Sequence, residues 1–437
     1  MTSTEEGAVA QRSPTSAGSQ GDVQGARRLS GDERRRIAIL ALPTVGFALS
    51  ITVVTTYTPV VVSGFVSSSA VIGVLIAIEG LLALTLPPLV GARSDRLRTR
   101  LGGRLPFLLI GTPLMALALV GLGVVGAFAG AVIGVTAFFA GYYVAYEPYR
   151  ALYPDLVEDD AAGRAQSGQA VARGVGTAVA LVGGGLLLAL GQAVPFAAAA
   201  GVVMISAGAF TYALLRRSGV PKQPEGKDAR RAREAFGALW EALRSHPPLR
   251  RYLVANACWE GSLGAIKTFV ILWMTVGLGL SLSAASGVLG GAAVFILAGA
   301  ALAGKLADRF GAARVMQVAA AGFGAPMIIP FLTQSPALLV PAVPVIATCG
   351  GIVMSLPYAL LIPMMPPSEH GLLSGFYSLS RGLGLMAGPL LGGAAIEILR
   401  AFGEPLGTQG YAAVWVAAGG LLVATIPLAR RLQGPAT

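Results

Sequence analysis

Seven ionisable side chains stand inside long apolar runs: Glu79 in GVLIAIEGLLALTL, Glu147 and Arg150 in YYVAYEPYRAL, Arg173 in VARGVGTAV, Glu260 and Lys267 in NACWEGSLGAIKTF, and Arg381 in SLSRGLGLM. An ion near the centre of a lipid-facing helix costs roughly 2.5 to 3.5 kcal/mol on insertion scales, so such groups turn toward one another or toward water. The chemistry open to them is ion coupling. A carboxylate shielded from water holds its proton and an approaching arginine drives it off, so a cation that moves during a cycle can load and unload the acid. Glu79, Glu147 and Glu260 are the candidates, because both histidines, His246 and His370, fall in polar connections. A proton is the first expectation for the coupling ion and sodium the second. The competing reading is that these charges form buried pairs that fix helix register, in which case breaking one unfolds the protein instead of inactivating it.

Helical spacing gathers further side chains around them. Tyr143, Glu147, Arg150 and Pro154 follow one another at steps of four, three and four on one face, with Glu147 and Arg150 close enough to pair. Asn256, Glu260, Gly264 and Lys267 form a second stripe. Tyr142, Tyr146, Tyr149 and Tyr153 make an aromatic one, and a ring with a hydroxyl handle suits a polyhydroxyl solute as well as it suits packing between helices. The expected wall of a solute cavity is therefore Tyr57, Tyr142, Tyr146, Arg173, Asn256, Trp259, Lys267 and Arg381.

The elements that must position these groups are transmembrane helices. Hydrophobic residues make up 54% of the chain and charged residues 12%, against roughly 25% charged in ordinary soluble domains. Apolar stretches of the ~20 residues needed to cross a bilayer recur about twelve times, near 37–62, 69–92, 106–127, 131–154, 165–190, 194–215, 250–277, 282–304, 313–333, 337–362, 371–399 and 411–430. Residues 1–33 are polar and Ser/Gly-rich, which predicts a disordered tail. RRR at 34–36 leads into a full-length span, unlike a cleavable signal. Cys258 and Cys349 sit far apart in apolar runs and suggest neither a disulfide framework nor a metal site. No cofactor is expected.

Charge sorts the connections into two sets. Arg93, Arg96, Arg98, Arg100 and Arg104, then Arg164, then Arg216 to Arg251, then Lys305, Arg309 and Arg314 fall in alternate loops, whereas the loops near 63–69, 128–130, 191–195, 278–283 and 334–336 hold no Lys or Arg. The positive-inside rule then predicts cytoplasmic termini and a cytoplasmic middle loop, in a plasma-membrane protein. The net charge of +11 is thereby explained without nucleic acid, since the basic residues border the membrane.

The chain also repeats. Asp95 and Asp308 lie 213 residues apart, Pro148 of PYRALYP and Pro357 of PYALLIP lie 209 apart, and RGVG at Arg173 and RGLG at Arg381 lie 208 apart. Near-constant offsets imply duplicated bundles related by an axis along the membrane normal. The expected domains are an N-terminal six-helix bundle over 34–215, a linker over 216–249, a C-terminal six-helix bundle over 250–431 and a tail over 432–437.

Two six-span halves with a basic motif between spans two and three resemble the major facilitator superfamily. The residues that carry the resemblance are Gly91, Asp95, Arg96 and Arg104 in the first copy and Gly304, Asp308, Arg309 and Arg314 in the second, which follow the family's GxxxDRxGRR loop. The first copy departs by an insertion, LRTRLGGR; with the PF after it, and with PYRALYPDL after span four, it looks like the glycoside-cation symporter and sucrose-transporter branch. The resemblance implies an all-α membrane protein of twelve transmembrane helices in two pseudo-symmetric six-helix bundles. It also implies a cytoplasmic gate built from the motif, with Asp95 and Asp308 reaching a helix N-terminus or an arginine such as Arg150 or Arg164 across the gap. Physically, each aspartate lies at the negative C-terminal end of its own helix and is better served by such a partner.

The function expected on these grounds is secondary active transport of a small solute, a sugar or glycoside, with a proton by alternating access, in a monomer. The alternative is drug or metabolite efflux by proton antiport, because GLMAGPLLGG at 384–393 matches the GxxxGPxxGG pattern of family exporters, although in span eleven instead of span five. A non-transport membrane scaffold or pigment-delivery protein of the same fold is the third reading. An enzyme is not expected: no HExxH, GxSxG or P-loop spacing is present.

Overall fold

Twelve long helices follow one another in the computed structural model of the chain, which describes residues 31–152, 162–217, 246–364, 370–403 and 406–430 together with positions 156, 237, 241, 243 and 244. They are α1 (Gly31–Val62), α2 (Ser69–Ser94), α3 (Leu105–Gly123), α4 (Phe128–Ala151), α5 (Ala162–Leu190), α6 (Ala193–Arg217), α7 (Pro247–Leu272), α8 (Leu282–Phe310), α9 (Ala312–Gly324), α10 (Pro336–Ser355), α11 (His370–Phe402) and α12 (Ala413–Arg430). A π-turn at Trp273–Gly277 extends α7, and a 3₁₀ turn at Ala325–Ile328 with a last turn at Ile329–Leu332 extends α9. No strand occurs among the described residues. Ten of the helices are long and apolar enough to cross a membrane on length and composition alone. The other two are α12, whose apolar part is the shorter Ala413–Leu428, and α7, in which Asn256, Glu260 and Lys267 dilute the apolar run.

Local chemistry sets the ends. Ser68 caps α2 by accepting the Val71 N–H, Ser281 caps α8 by accepting that of Ala284, and Pro247 opens α7 where its missing N–H costs nothing. Gly311 ends α8 at φ 84°, a left-handed conformation that the family motif's glycine permits. The first helix begins at Gly31, inside the stretch expected to be disordered. The expected tails over 1–30 and 432–437 and most of the middle loop lie outside the described residues, as do Tyr153 and Pro154.

In the first half α1 packs on α5 and α6, α3 on α4 and α6, and α2 on α4; in the second, α7 packs on α11 and α12, α8 on α10, and α9 on α10 and α12. The halves meet along α2 with α11, α5 with α8, and α1 with α7. An axis that exchanges α2 with α8 and α5 with α11 makes the first two seams equivalent, as the sequence repeat requires. Contact is close because glycine lets backbones touch: a Cβ on Gly73 would sit 2.3 Å from the Pro389 carbonyl oxygen, and one on Gly80 2.3 Å from the Met386 nitrogen.

Candidate transport site and gates

The seams are not uniform along the bundle. On one side Ser69, Gly73 and Gly80 of α2 meet Gly393, Pro389 and Met386 of α11, and on the other Gly185, Val182 and Gly174 of α5 meet Ser286, Gly290 and Leu297 of α8. All of these lie from the end whose short connections, near 63–69, 128–130, 191–195, 278–283 and 334–336, hold no Lys or Arg, the loop-poor end, to the middle of the helices. At the opposite, basic end Gly91 and Gly304 have open space where a Cβ would be. The close backbone contacts between the halves described here therefore fall from the loop-poor end to mid-depth.

A clamp that sequence reasoning missed holds the loop-poor end. Glu397 of α11 accepts the backbone N–H of Ser69 at 2.5 Å, so a carboxylate from one half satisfies an orphan donor at the positive end of a helix in the other. Arg400 pairs with Glu397 at 3.2 Å and donates to the Ser67 carbonyl (3.2 Å), the Ser69 hydroxyl (3.4 Å) and the Gln409 carbonyl (3.1 Å). The signal available in sequence was an i,i+3 acid and base at the end of a span, and it names no partner. On the second seam the Tyr57 hydroxyl donates to the Leu181 carbonyl at 2.9 Å and lies 3.5 Å from the Ser286 hydroxyl. Tyr57 is fully buried against Gly184, so it is part of the contact between the bundles and does not stand open to a solute.

At mid-depth the intramembrane charges converge. Glu79 is 3% exposed and one of its oxygens has no hydrogen-bond donor among the described residues. The charges acting on it come from the other half: Lys267 first, then Arg381 and Glu260. Between the halves, Thr55, Ile76 and Glu79 from one side and Gly264, Lys267, Thr268, Leu385 and Pro389 from the other line a cavity with room for about one water. Glu260 lies 3.8 Å from the Arg381 guanidinium and takes a hydrogen bond from Tyr377. Arg381 is 32% exposed and Arg173 is exposed, so the cluster is not sealed inside the bundle.

The aromatic stripe of α4 is mostly packing. Tyr142 and Tyr146 stack at 4.9 Å, and Phe47 of α1 stands edge-on to both. Tyr149 is bound to Thr44 at 2.8 Å and donates to the Leu40 carbonyl. Tyr146 also receives a 2.6 Å hydrogen bond from Arg173, which links the stripe to α5. Two expected cavity residues stand elsewhere. Trp259 is fully buried and donates to the Thr425 hydroxyl of α12 at 2.8 Å, while Asn256 donates to Ser380 at 2.7 Å, so both tie helices within the second bundle.

At the basic end Asp95 pairs with Arg104 of its own loop at 3.2 Å, and Arg104 also donates to the Ala151 carbonyl. The aspartate is 49% exposed and does not reach Arg150, whose guanidinium lies 3.9 Å from Glu147 and 5.7 Å from the centre of the Tyr146 ring. Asp308 is exposed with no ion pair among the described residues, Arg309 lies over the Phe310 ring, and Arg96 and Arg314 are exposed. The side chain of Arg164 lies outside the described residues. Neither aspartate forms an ion pair with the opposite half among the described residues.

Twelve helices in two pseudo-symmetric bundles, with charged side chains gathered at mid-depth, have the fold of a secondary transporter and not of an enzyme. The family follows from the sequence: a model of the Major Facilitator Superfamily matches residues 40–301 and 261–436, and the chain belongs to that superfamily. Solved structures share its fold. A bacterial homologue of the human lysosomal transporter Spinster, inward-facing and unoccupied, aligns over 94% of this chain and 100% of its own at 16% identity with a TM-score of 0.73. The nucleoside transporter NupG aligns over 92% of this chain and 99% of its own at 15% identity with a TM-score of 0.71. A D-xylose-proton symporter aligns over 91% and 97% at 15% identity and TM-score 0.71. A comparison with curated proteins found no match.

Proposed function

We propose that the protein moves a small polyhydroxyl solute, a sugar or glycoside, together with a proton by alternating access. The observation that carries the reading is the position of Glu79: an acid from the first half, short of one donor, faces Lys267 and Arg381 of the second across a seam that must slide or part when the bundles rock. A rocking motion changes the distance from acid to cation, and with it the acid's hold on a proton. Glu260, held by Arg381 and Tyr377, and Glu147, beside Arg150, are the other carboxylates able to take part. On this reading the basic end faces the cytoplasm, as the positive-inside rule predicts, and the Glu397–Arg400 clamp is the outer gate, shut while the inner gate opens. The motif residues Gly91, Asp95, Arg96, Arg104, Gly304, Asp308, Arg309 and Arg314 form the inner gate in its released form. The choice of solute rests on the PYRALYPDL and RLPF resemblance; a D-xylose-proton symporter and a nucleoside transporter share the fold and supply no more than that.

Export by proton exchange stays below uptake. The GLMAGPLLGG run is occupied in packing: added Cβ atoms on Gly384 and Gly388 would strike the backbone of α7, and Pro389 abuts Gly73. Proteoliposomes test the reading. A pH gradient, acid outside, is expected to drive sugar accumulation in the wild type, and Glu79→Gln to abolish accumulation while leaving counterflow exchange intact. Accumulation that ignores the gradient would refute proton symport, and drug-dependent proton release would replace it with exchange.

A further inference from the structure

We propose that α3 and α6 form a binding site for the hydroxyl of an aliphatic alcohol dissolved in the bilayer, the hydrocarbon tail of which stays among the lipid. The site lies on the outer wall of the first bundle and does not depend on what the protein carries. Leu109, Thr112 and Pro113 of α3 and Met204, Gly208 and Thr211 of α6 line a notch of about 70 Å³ between the two helices. Leu109, Ile110, Met204 and Ile205 beside it are exposed, and α3 and α6 pack on helices of the first half, so the notch opens toward lipid.

Two hydroxyls are stranded in it: Thr112 and Thr211 are 4% and 8% exposed, and neither Oγ1 has a hydrogen-bond partner among the described residues. A threonine in a membrane helix ordinarily satisfies itself by donating to the carbonyl four residues back, as Thr52, Thr136, Thr268 and Thr275 do here at 2.7 to 2.8 Å. The pair in the notch does not. A third polar group joins them, because Pro113 lies inside α3 and has no N–H for the Leu109 carbonyl, which therefore lacks its helical donor. Gly208 keeps the notch open, since a Cβ there would meet nothing within 4 Å.

Depth and shape select the ligand. Thr112 lies seven residues past the start of α3 and Thr211 six residues before the end of α6, which puts both ~9–11 Å below the basic end at 1.5 Å per residue. An alcohol hydroxyl donates to the Leu109 carbonyl or to one threonine and accepts from the other. A carboxylate or phosphate only accepts, and its charge finds no compensation among apolar walls. An aromatic ring is too large, since an enclosed benzene takes a cavity of roughly 150 Å³. The end of an alkyl chain fits, with the remaining methylenes lying beside Met204 and Ile205. Both helices belong to the first half, so the site keeps its shape when the bundles move as rigid bodies.

The test uses the purified full chain in lipid nanodiscs and a 1-dodecanol probe with a diazirine beside its hydroxyl, against the dodecane diazirine that lacks the hydroxyl. Labelled residues are mapped by mass spectrometry and normalised to lipid-facing positions of α8 such as Val294, which is 65% exposed. The alcohol is expected to label 108–113 and 204–211 roughly fivefold or more above the alkane, the preference that one or two hydrogen bonds supply. Combining Thr112→Val with Thr211→Val should abolish the preference and leave the melting temperature without alcohol no lower than that of the wild type, because only unmet hydroxyls are removed. Gly208→Val, which fills the notch, should abolish it as well. Equal labelling by the two probes, or a preference that survives the double variant, would overturn the proposal. Equal labelling with a lowered melting temperature of the double variant would assign the notch to water alone. Competition by n-octane as effective as that by 1-octanol would also overturn the proposal, and this arm needs no variant.

Discussion

Replacing Glu397 by Gln removes the charge that joins the two halves at the loop-poor end. In the structure this carboxylate accepts the Ser69 N–H at 2.5 Å and pairs with Arg400 at 3.2 Å. A hydrogen bond to an ionised acceptor contributes about 1.5 to 3 kcal/mol. Both side chains are about a third exposed, and Gln can still accept one bond, so screening brings the expected loss to about 1 to 2 kcal/mol. That converts to a roughly 5- to 30-fold rise in the fraction of molecules open at this end. A buried cysteine reports that fraction through its alkylation rate, since it reacts only while exposed. Ile76 lines the cavity between the halves and is 1% exposed, so Ile76→Cys, in a background with Cys258 and Cys349 replaced by Ser, serves as the probe. An impermeant thiol reagent applied to sealed vesicles from the loop-poor face should react roughly 5- to 30-fold faster when Glu397→Gln is added. An unchanged rate would show that the clamp is an incidental surface pair and that glycine packing alone holds this end.

Three further substitutions separate gating from packing. Asp95→Asn should leave insertion and melting temperature unchanged, because the Asp95–Arg104 pair is exposed and worth less than about 1 kcal/mol, yet it should cut transport by about tenfold if the motif latches the basic end in the opposite conformation; normal uptake by this variant refutes the latch. Gly80→Ala puts a Cβ 2.3 Å from the Met386 nitrogen and 2.6 Å from the Gly382 oxygen, so it should destabilise the protein by about 1 to 3 kcal/mol in a thermal melt. Trp259→Phe removes the bond to Thr425 and should lower stability by about 1 kcal/mol while solute Kd stays unchanged; a weakened Kd would return Trp259 to the cavity wall.

Much of this architecture was legible in sequence because the forces behind it are local. A bilayer demands apolar runs of fixed length, so the helices could be placed within a few residues, and the isolated acid at Glu79 advertised a partner on another helix. The i,i+3 spacing of Glu147 and Arg150 gave their approach directly, because helix geometry fixes it. What sequence did not yield depends on how whole helices meet. Glu397 and Ser69 are 328 residues apart and carry no motif, and their contact exists only because α2 and α11 cross at that end. Tyr57 and Trp259 have the composition of a solute platform, but the seams and the α7–α12 contact bury them. The expected Asp95 contact depends on which end is closed, a property of the conformational state that one sequence shares between several.

Alternating access requires that the charges at mid-depth surround a chamber reached from each face in turn. Thr268 lines the cavity beside Glu79 and Lys267 and is 1% exposed. A cysteine placed there, with Cys258 and Cys349 replaced by Ser, is to be alkylated in sealed vesicles by an impermeant reagent added to one face at a time. Labelling from both faces, faster from the basic end, is the predicted result; labelling from one face only, or from neither, would contradict alternating access.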